Sequence, residues 1–299
     1  MLKKILVPLD GSALSDRILG QVHRLLVRED ARIRLLGVLP PRQPGSAAPA
    51  AERHLEEHCE TLCEEGARAS FATTLSGDPA TGILDYAAKY RPSLIAMSTH
   101  GRTGLRRWRR GSVAERVLRA SPFPLLLWNP YLKPSERPRS VRFGRILVPL
   151  DGSEQSARIL PLVKALARLY GSKVTLFHAT ELYPVASDYP MVQLPPTPRE
   201  VARALAPFRR RLAGISVSVR SSLGTPAATI LDAAEGEKAE LIAMATHGRS
   251  GLSRWAYGSV AEQVLRHTSR PLLLLRTAGP HGRRKPARRR SRRARRPSR

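Results

Sequence analysis

Two tandem α/β domains, each a doubly wound parallel sheet of five strands, are the fold class this sequence predicts. Three observations predict it. Short apolar runs alternate with stretches of helical periodicity, the pattern of strands joined by right-handed crossovers with helices on both faces. The pattern then restarts: Arg145-Ile-Leu-Val-Pro-Leu-Asp-Gly-Ser153 repeats Lys4-Ile-Leu-Val-Pro-Leu-Asp-Gly-Ser12 at an offset of 141 residues. Finally, Ala96-Met-Ser-Thr-His-Gly-Arg-Thr-Gly-Leu105, closed by Gly111-Ser-Val-Ala-Glu115, returns as Ala243-Met-Ala-Thr-His-Gly-Arg-Ser-Gly-Leu252, closed by Gly258-Ser-Val-Ala-Glu262. A period of about 145 residues is a duplicated domain and not a solenoid.

The elements follow in order. Residues 4–10 are a buried parallel strand, ended by Asp10-Gly11 with a helix cap at Ser12. From Ser15 to Arg28 the apolar residues Ile18, Leu19, Val22, Leu25 and Leu26 recur at helical spacing. Residues 32–39 are the second strand, a Pro/Gly/Ala loop covers 40–50, and a helix runs from about 51 to 66. Phe71 to Leu75 is the third strand, and Gly77-Asp78-Pro79 starts a helix with proline near its first turn. Leu94 to Ser98, Ser112 to Ala120 and Pro124 to Trp128 supply the fourth strand, the next helix and the fifth strand. Gly224-Thr225-Pro226 repeats Gly77-Asp78-Pro79 at an offset of 147. The six extra residues fall between strands two and three of the second copy, around Tyr183 to Pro198, where a loop absorbs them. The predicted organisation is domain one over 1–130, a proline-rich linker over 131–143, domain two over 144–277 and a disordered Arg-rich tail over 278–299.

The formal net charge is +27, of which eleven Lys or Arg within 280–299 carry +11 and the rest of the chain +16. Such a balance is either a solvated basic surface or affinity for polyanions. The tail lacks interleaved aromatics, so nucleic-acid binding through it would run through phosphates and depend steeply on salt. The apolar run at Ile5–Leu9 stops before it reaches the length of a signal core, and no run approaches the roughly 20 residues of a membrane span. No membrane partner and a cytoplasmic location are expected. Cys59 and Cys63, the two cysteines, form no disulfide framework.

Strand, glycine loop and helix start, in that order, form a cradle for phosphate, because free N–H groups and the helix dipole meet there. Ser112 with Glu115, and Ser259 with Glu262, also match capping boxes, which would explain the Gly-Ser pairs without any ligand. Asp10 and Asp151 fit either a ligand contact or a cap on the following turn. The spacer in the first loop is Leu-Arg-Arg-Trp-Arg-Arg and in the second Leu-Ser-Arg-Trp-Ala-Tyr, so the first cradle is the more cationic. Trp108 and Trp255 are expected to pack at the loop base. Neither Gly-x4-Gly-Lys-Ser/Thr nor Gly-x-Gly-x-x-Gly occurs. His100 and His247 have no partnered nucleophile, so no catalytic residue is expected. His54 and His58 share one face of the 51–66 helix, and Cys59 and Cys63 share the neighbouring one. One helix alone does not make a tetrahedral site, so no metal site is expected.

Taken together, Ile-Leu-Val-Pro-Leu-Asp-Gly-Ser, Gly-x-Pro and Met-x-Thr-His-Gly-Arg-x-Gly-Leu with Gly-Ser-Val-Ala-Glu, in that order and twice over, resemble the universal stress protein family in its tandem form, over residues 1–277. The resemblance implies Rossmann-like domains of the adenine nucleotide alpha hydrolase-like kind, their fifth strands pairing to form a pseudo-dimer within one chain, with further oligomerisation left open. Nucleotide-binding members carry Gly, two residues, Gly, nine residues, then Gly and Ser or Thr. Here Ser98 and Ala245 replace the first glycine, Gly101 and Gly248 are the second, and Gly111-Ser112 and Gly258-Ser259 close the pattern. The small-for-small exchange keeps close backbone approach, although not positive φ. The resemblance further implies that Asp10 and Asp151, preceded by Pro8 and Pro149, lie near adenine or ribose. It places Val38 and Ala179 in the base pocket, His100 and His247 at the loop or ribose, and Val113 and Val260 beside the phosphate-holding serines. The implied ligand is ATP or a related adenine nucleotide, with or without Mg2+. The implied function is a stress-response sensor or regulator, with at most slow ATP hydrolysis. The alternative is a nucleotide-independent protein binding nucleic acid or another polyanion through its basic surface and tail.

Overall fold

The computed structural model describes residues 3–26, 31–41, 47–99, 113–131, 143–181, 195–246 and 258–277. In the first half, β1 (Lys4–Leu9), α1 (Ala13–Asp16), α2 (Ile18–Leu26), β2 (Arg32–Leu39), α3 (Ala47–Glu64), β3 (Arg68–Leu75), α4 (Pro79–Tyr90), β4 (Leu94–Ser98), α5 (Val113–Ala120) and β5 (Leu125–Trp128) follow one another. The second half has β6 (Arg145–Pro149), a 3₁₀ turn at Ser156–Ile159, α6 (Leu160–Tyr170), β7 (Lys173–Thr180), α7 (Pro198–Arg211), β8 (Val217–Leu223), α8 (Pro226–Gly236), β9 (Leu241–Ala245), α9 (Ser259–His267) and β10 (Leu272–Leu275).

All ten strands form one sheet in the order β3-β2-β1-β4-β5-β10-β9-β6-β7-β8. Within each half the pairing is parallel, and the halves meet at β5 and β10, which run antiparallel with Leu126 opposite Leu273. This is the expected join of the two fifth strands. Each is a run of apolar residues whose unpaired edge would otherwise be open to solvent. The inner strands are buried on both faces and accordingly carry nearly unbroken apolar runs. The edge strands β3 and β8 are half-exposed and mix Ser and Thr with apolar residues.

Two cores flank the sheet and both span the halves. On one face Ile5, Val7 and Leu9 pack with Ile18 and Val22 of α2 and Leu55 and Leu62 of α3, continuing to Val163 of α6 and Leu205 of α7. On the other, Ile95 and Met97 pack with Ile83 of α4 and Val117 of α5, continuing to Ile230 of α8 and Val264 of α9. Phe143, at the last position of the expected linker, is fully buried and meets the Tyr170 ring edge-on at 6.5 Å between centroids.

The helix expected over 15–28 is two helices. Ser12 caps α1, accepting from the Ser15 N–H, but the Ser15 hydroxyl donates to the Ser12 carbonyl and competes with helix continuation, and the chain turns at Arg17 before α2 begins. Most of the loop expected to hold the extra residues of the second half, around Tyr183 to Pro198, and the tail lie outside the described residues; only its end, 195–198, is described, and it leads into α7.

Candidate functional site

Each half turns its strand order at the boundary between β1 and β4, or β6 and β9, which is where open α/β sheets place their ligand crevice. Among the described residues β1 and β4 pair only at Ile5 with Leu94 and Leu6 with Ile95. Beyond that point their carboxyl-terminal residues have no partner in each other. Pro8 sits in this stretch: it has no N–H to give a ladder there, and it still keeps its place beside Leu36 of β2. The second half repeats the arrangement, with β6 and β9 pairing only at Ile146–Leu241 and Leu147–Ile242, and Pro149 beside Phe177. Both prolines are buried.

The carboxylates that follow are held by their own turns. Asp10 Oδ1 accepts from the Ser12 N–H at 3.0 Å and its hydroxyl at 2.6 Å. Asp151 Oδ1 accepts from Ser153 in the same way, at 2.9 and 2.6 Å. Gly11 and Gly152 between them have φ of 75° and 82°, the left-handed region that a β-carbon disfavours. The turn-capping role that the sequence allows for these aspartates is therefore present in both halves. Asp10 is exposed and Asp151 half-buried.

Val38 and Ala179 close β2 and β7 and are half-buried. Val38 is pressed against α4 so closely that a β-carbon on Gly82 would come within 2.6 Å of its Cγ1. One residue before Ala179 lies His178, whose Nδ1 is 2.8 Å from the Leu150 carbonyl oxygen. The register-equivalent residue of the first half is Gly37. His178 carries no motif around it, and only the comparison of the two copies draws the eye to it.

Ser98 and Ala245 end β4 and β9 and are buried. The Ser98 hydroxyl has no hydrogen-bond partner among the described residues. The next residues turn back onto the fifth strands: Thr99 N–H donates to the Trp128 carbonyl at 2.9 Å and Thr246 N–H to that of Leu275 at 3.0 Å. In the second half the Gly258 N–H then donates to the Thr246 carbonyl at 2.7 Å, so α9 starts directly against the end of β9.

That contact corrects the capping box expected at Ser259 and Glu262. Gly258 is the cap residue, in extended conformation and with no side-chain cap bond. Ser259 is the exposed first residue of α9, and Glu262 pairs instead with Arg266 one turn on. The clamp onto Thr246 sets the entry of the helix one residue earlier than the side-chain pattern implies. Val113 and Val260 are half-buried at the helix starts. His100, Gly101, Gly111, Ser112, His247 and Gly248 lie outside the described residues, as do the arginine-rich spacer, Trp108 and Trp255; of the first capping box only Glu115 is described, buried and paired with Arg119.

Asp78 of the Gly-x-Pro motif caps α4. It accepts from the Thr81 N–H at 2.9 Å and the Thr81 hydroxyl at 2.5 Å, and takes the Arg116 guanidinium of α5 on both oxygens. The Thr81 bonds, then Arg116, hold its carboxyl at about 2. The second half has Thr225 at this position, with no side-chain cap bond.

Comparison with known proteins bears on this geometry. The model of the universal stress protein family matches residues 1–128 and again 142–276. A universal stress protein of Thermus aquaticus is 33% identical over 137 residues, 45% of this chain and 99% of that protein. One of Methanocaldococcus jannaschii is 34% identical over 139 residues, 42% of this chain and 81% of its own length. Relatives of half this length are what a duplicated domain produces. The crystal structure of a universal stress protein from Archaeoglobus fulgidus superposes with a TM-score of 0.68, over 92% of this chain and 97% of that one, at 23% identity. It shares the fold.

Proposed function

The chain belongs to the universal stress protein family, and on that premise we propose that its two halves, residues 1–130 and 144–277 joined by 131–143, bind ATP or a related adenine nucleotide. The role is that of a cytoplasmic stress-response sensor or regulator with little or no catalysis. The ligand lies where β1 parts from β4 and β6 from β9. Pro8, Asp10 and Val38 face its nucleoside end, His100 shapes the loop or meets the ribose, and Ser98, Gly101, Gly111, Ser112 and Val113 line its phosphates. Pro149, Asp151, Ala179, Ala245, His247, Gly248, Gly258, Ser259 and Val260 repeat the set in the second half.

The observation that carries this reading is the Ser98 hydroxyl. It is buried at the carboxyl end of β4 without a partner among the described residues, and a buried hydroxyl left unpaired costs on the order of 1–3 kcal/mol. A ligand oxygen would satisfy it. Ala245, its counterpart, makes no such demand, so the first half is the stronger site. The donor set of hydroxyls, backbone N–H groups and one carboxylate per half suits a nucleotide. A divalent ion bound with it would neutralise phosphate charge.

The test is to purify the protein under native conditions, denature it and assay for released adenine nucleotide, then to titrate ATP into wild type, Gly101→Val and Gly248→Val. Release of nucleotide, with loss of affinity on Gly101→Val, is expected. No released nucleotide and no titratable ATP site sinks the reading. It would leave polyanion binding through residues 280–299, checked by the salt slope of RNA affinity with and without them.

A further inference from the structure

α3 presents His54 and His58 one turn apart on a single face, and a lone helix cannot complete a metal site from two imidazoles. α1 supplies a third donor. His54 Nε2 is 3.1 Å from Asp16 Oδ1, and His58 Nε2 is 3.4 Å from Asp16 Oδ2, with the two rings edge-to-face at 4.7 Å between centroids. The donor atoms of the three side chains all lie within 4.8 Å of one another. We propose that Asp16, His54 and His58 form a binding site for a divalent transition-metal ion of the zinc class, fastening α1 to α3 in the first half of the chain only.

The donor geometry supports this. Ligands about 2.1 Å from a tetrahedral zinc sit about 3.4 Å from one another. Each imidazole–carboxylate separation, one to either oxygen of Asp16, is close to that edge, and the three donor atoms, all within 4.8 Å of one another, draw together around an ion. Both histidines approach through Nε2, a nitrogen that ligates zinc readily when the ring is neutral. The side chains are 16%, 27% and 30% exposed for Asp16, His54 and His58, which leaves an entry path and room for a water as fourth ligand. Two nitrogens with one carboxylate select zinc, cobalt, nickel or copper over magnesium and calcium, which prefer oxygen alone. The Ser15 hydroxyl, which donates to the Ser12 carbonyl at 2.9 Å, lies 3.2 Å from Asp16 Oδ1 and outside the ligand set.

The neighbouring thiols are not part of it. Burial, then Cys63, pushes the Cys59 thiol up, away from the thiolate a metal needs. The Cys63 thiol faces the Ala69 carbonyl oxygen at 3.8 Å. Among the described residues the second half has no counterpart. Ala157 stands where Asp16 does by the 141-residue offset, and α7 contains no histidine. There a bidentate Arg211–Glu154 ion pair ties α7 to the turn after β6. The metal site is thus the first half's own means of holding the same two regions together, and it is independent of any nucleotide.

The experiment uses the full chain, stripped with a chelator and dialysed, with no nucleotide present. Zn2+ is titrated by calorimetry, and Co2+ is added separately as a spectroscopic probe. One equivalent of Zn2+ is expected, raising the unfolding temperature. His54→Ala/His58→Ala should weaken binding at least tenfold and abolish the thermal shift, while Cys59→Ser/Cys63→Ser leaves both unchanged. The circular dichroism of the histidine variant without metal reports whether it folds. Should it not fold, Asp16→Asn, close in shape to the native residue, must show the same tenfold loss. Cobalt should give a tetrahedral visible spectrum without a sulfur charge-transfer band. The proposal is overturned by absence of a stoichiometric Zn2+ site, by unchanged affinity in the folded histidine or Asp16→Asn variant, or by a sulfur band.

Discussion

Gly258 donates its backbone N–H to the Thr246 carbonyl oxygen at 2.7 Å, and a β-carbon on Gly258 would come within 2.8 Å of that same oxygen. The glycine of the Gly-Ser pair is therefore required by the packing of α9 against the end of β9, whatever the crevice binds. Its φ of −62° is ordinary, so close approach and not backbone freedom is what excludes a side chain.

Gly258→Ala should accordingly destabilise the second half even with no ligand present. The neighbouring atom is a backbone carbonyl that cannot rotate away, and forced overpacking of this kind costs about 1–3 kcal/mol. Urea denaturation without nucleotide measures it. A variant as stable as the wild type would show that α9 can shift to admit the methyl group, and would return the glycine to a purely ligand-directed role.

Asp78 gives the first half a pH dependence that Thr225 cannot give the second. Its folded-state pKa of about 2 lies below the roughly 3.9 of an unfolded aspartate. A depressed carboxylate stabilises the fold fully above the unfolded value, and that contribution is lost as pH falls through the folded one. Asp78→Ala should therefore cost about 1 kcal/mol at neutral pH, the typical value of a lost helix cap, with its Arg116 pair adding little because it is a surface pair. The gap between variant and wild type should close between about pH 4 and about pH 2. Thermal melts of both proteins down that range measure it; a gap that does not change with pH would assign the cost to packing.

The sheet was legible because buried parallel strands leave continuous apolar runs, and because a repeat with two exposed apolar fifth strands offers one obvious way to cover both. What depended on contacts across the fold was not. Asp16 and His54 are 38 residues apart, and helical periodicity describes the face of one helix without naming what faces it. The cap of α9 shifted by a residue because a tertiary bond to Thr246 overrode a local side-chain pattern. Ser12 was readable as a cap since that bond is local, whereas the split between α1 and α2 arises from a second serine, Ser15, bonding backward. Within the candidate site, Asp10 and Asp151 were legible as turn caps from the Asp-Gly-Ser spelling. The unpaired hydroxyl of Ser98 follows from burial, which spelling does not report.

Burial also decides how the halves are held together away from β5 and β10. Arg24 of α2 is only 8% exposed, lies 4.3 Å from the centre of the Phe143 ring, and approaches Glu240 at 3.7 Å. Glu240 Oε2 also accepts from the Gly144 N–H at 2.6 Å. Burial pulls the Arg24 guanidinium down, and Glu240 opposes that shift. Glu240→Ala would strip a partner from a buried cation and leave a backbone N–H without its acceptor. Breaking a buried pair from one side costs about 3–5 kcal/mol; the 3.7 Å separation and the further Arg24 bond to Gln21 argue for about 2 kcal/mol here. Glu240→Gln, which keeps an acceptor for Gly144, should cost less, since it loses the charge and not the hydrogen bond. Urea denaturation of the two variants, ranked in that order, supports the account. Equal losses would mean that the Gly144 bond contributes nothing and that the charge of Glu240 alone ties the first half to the second.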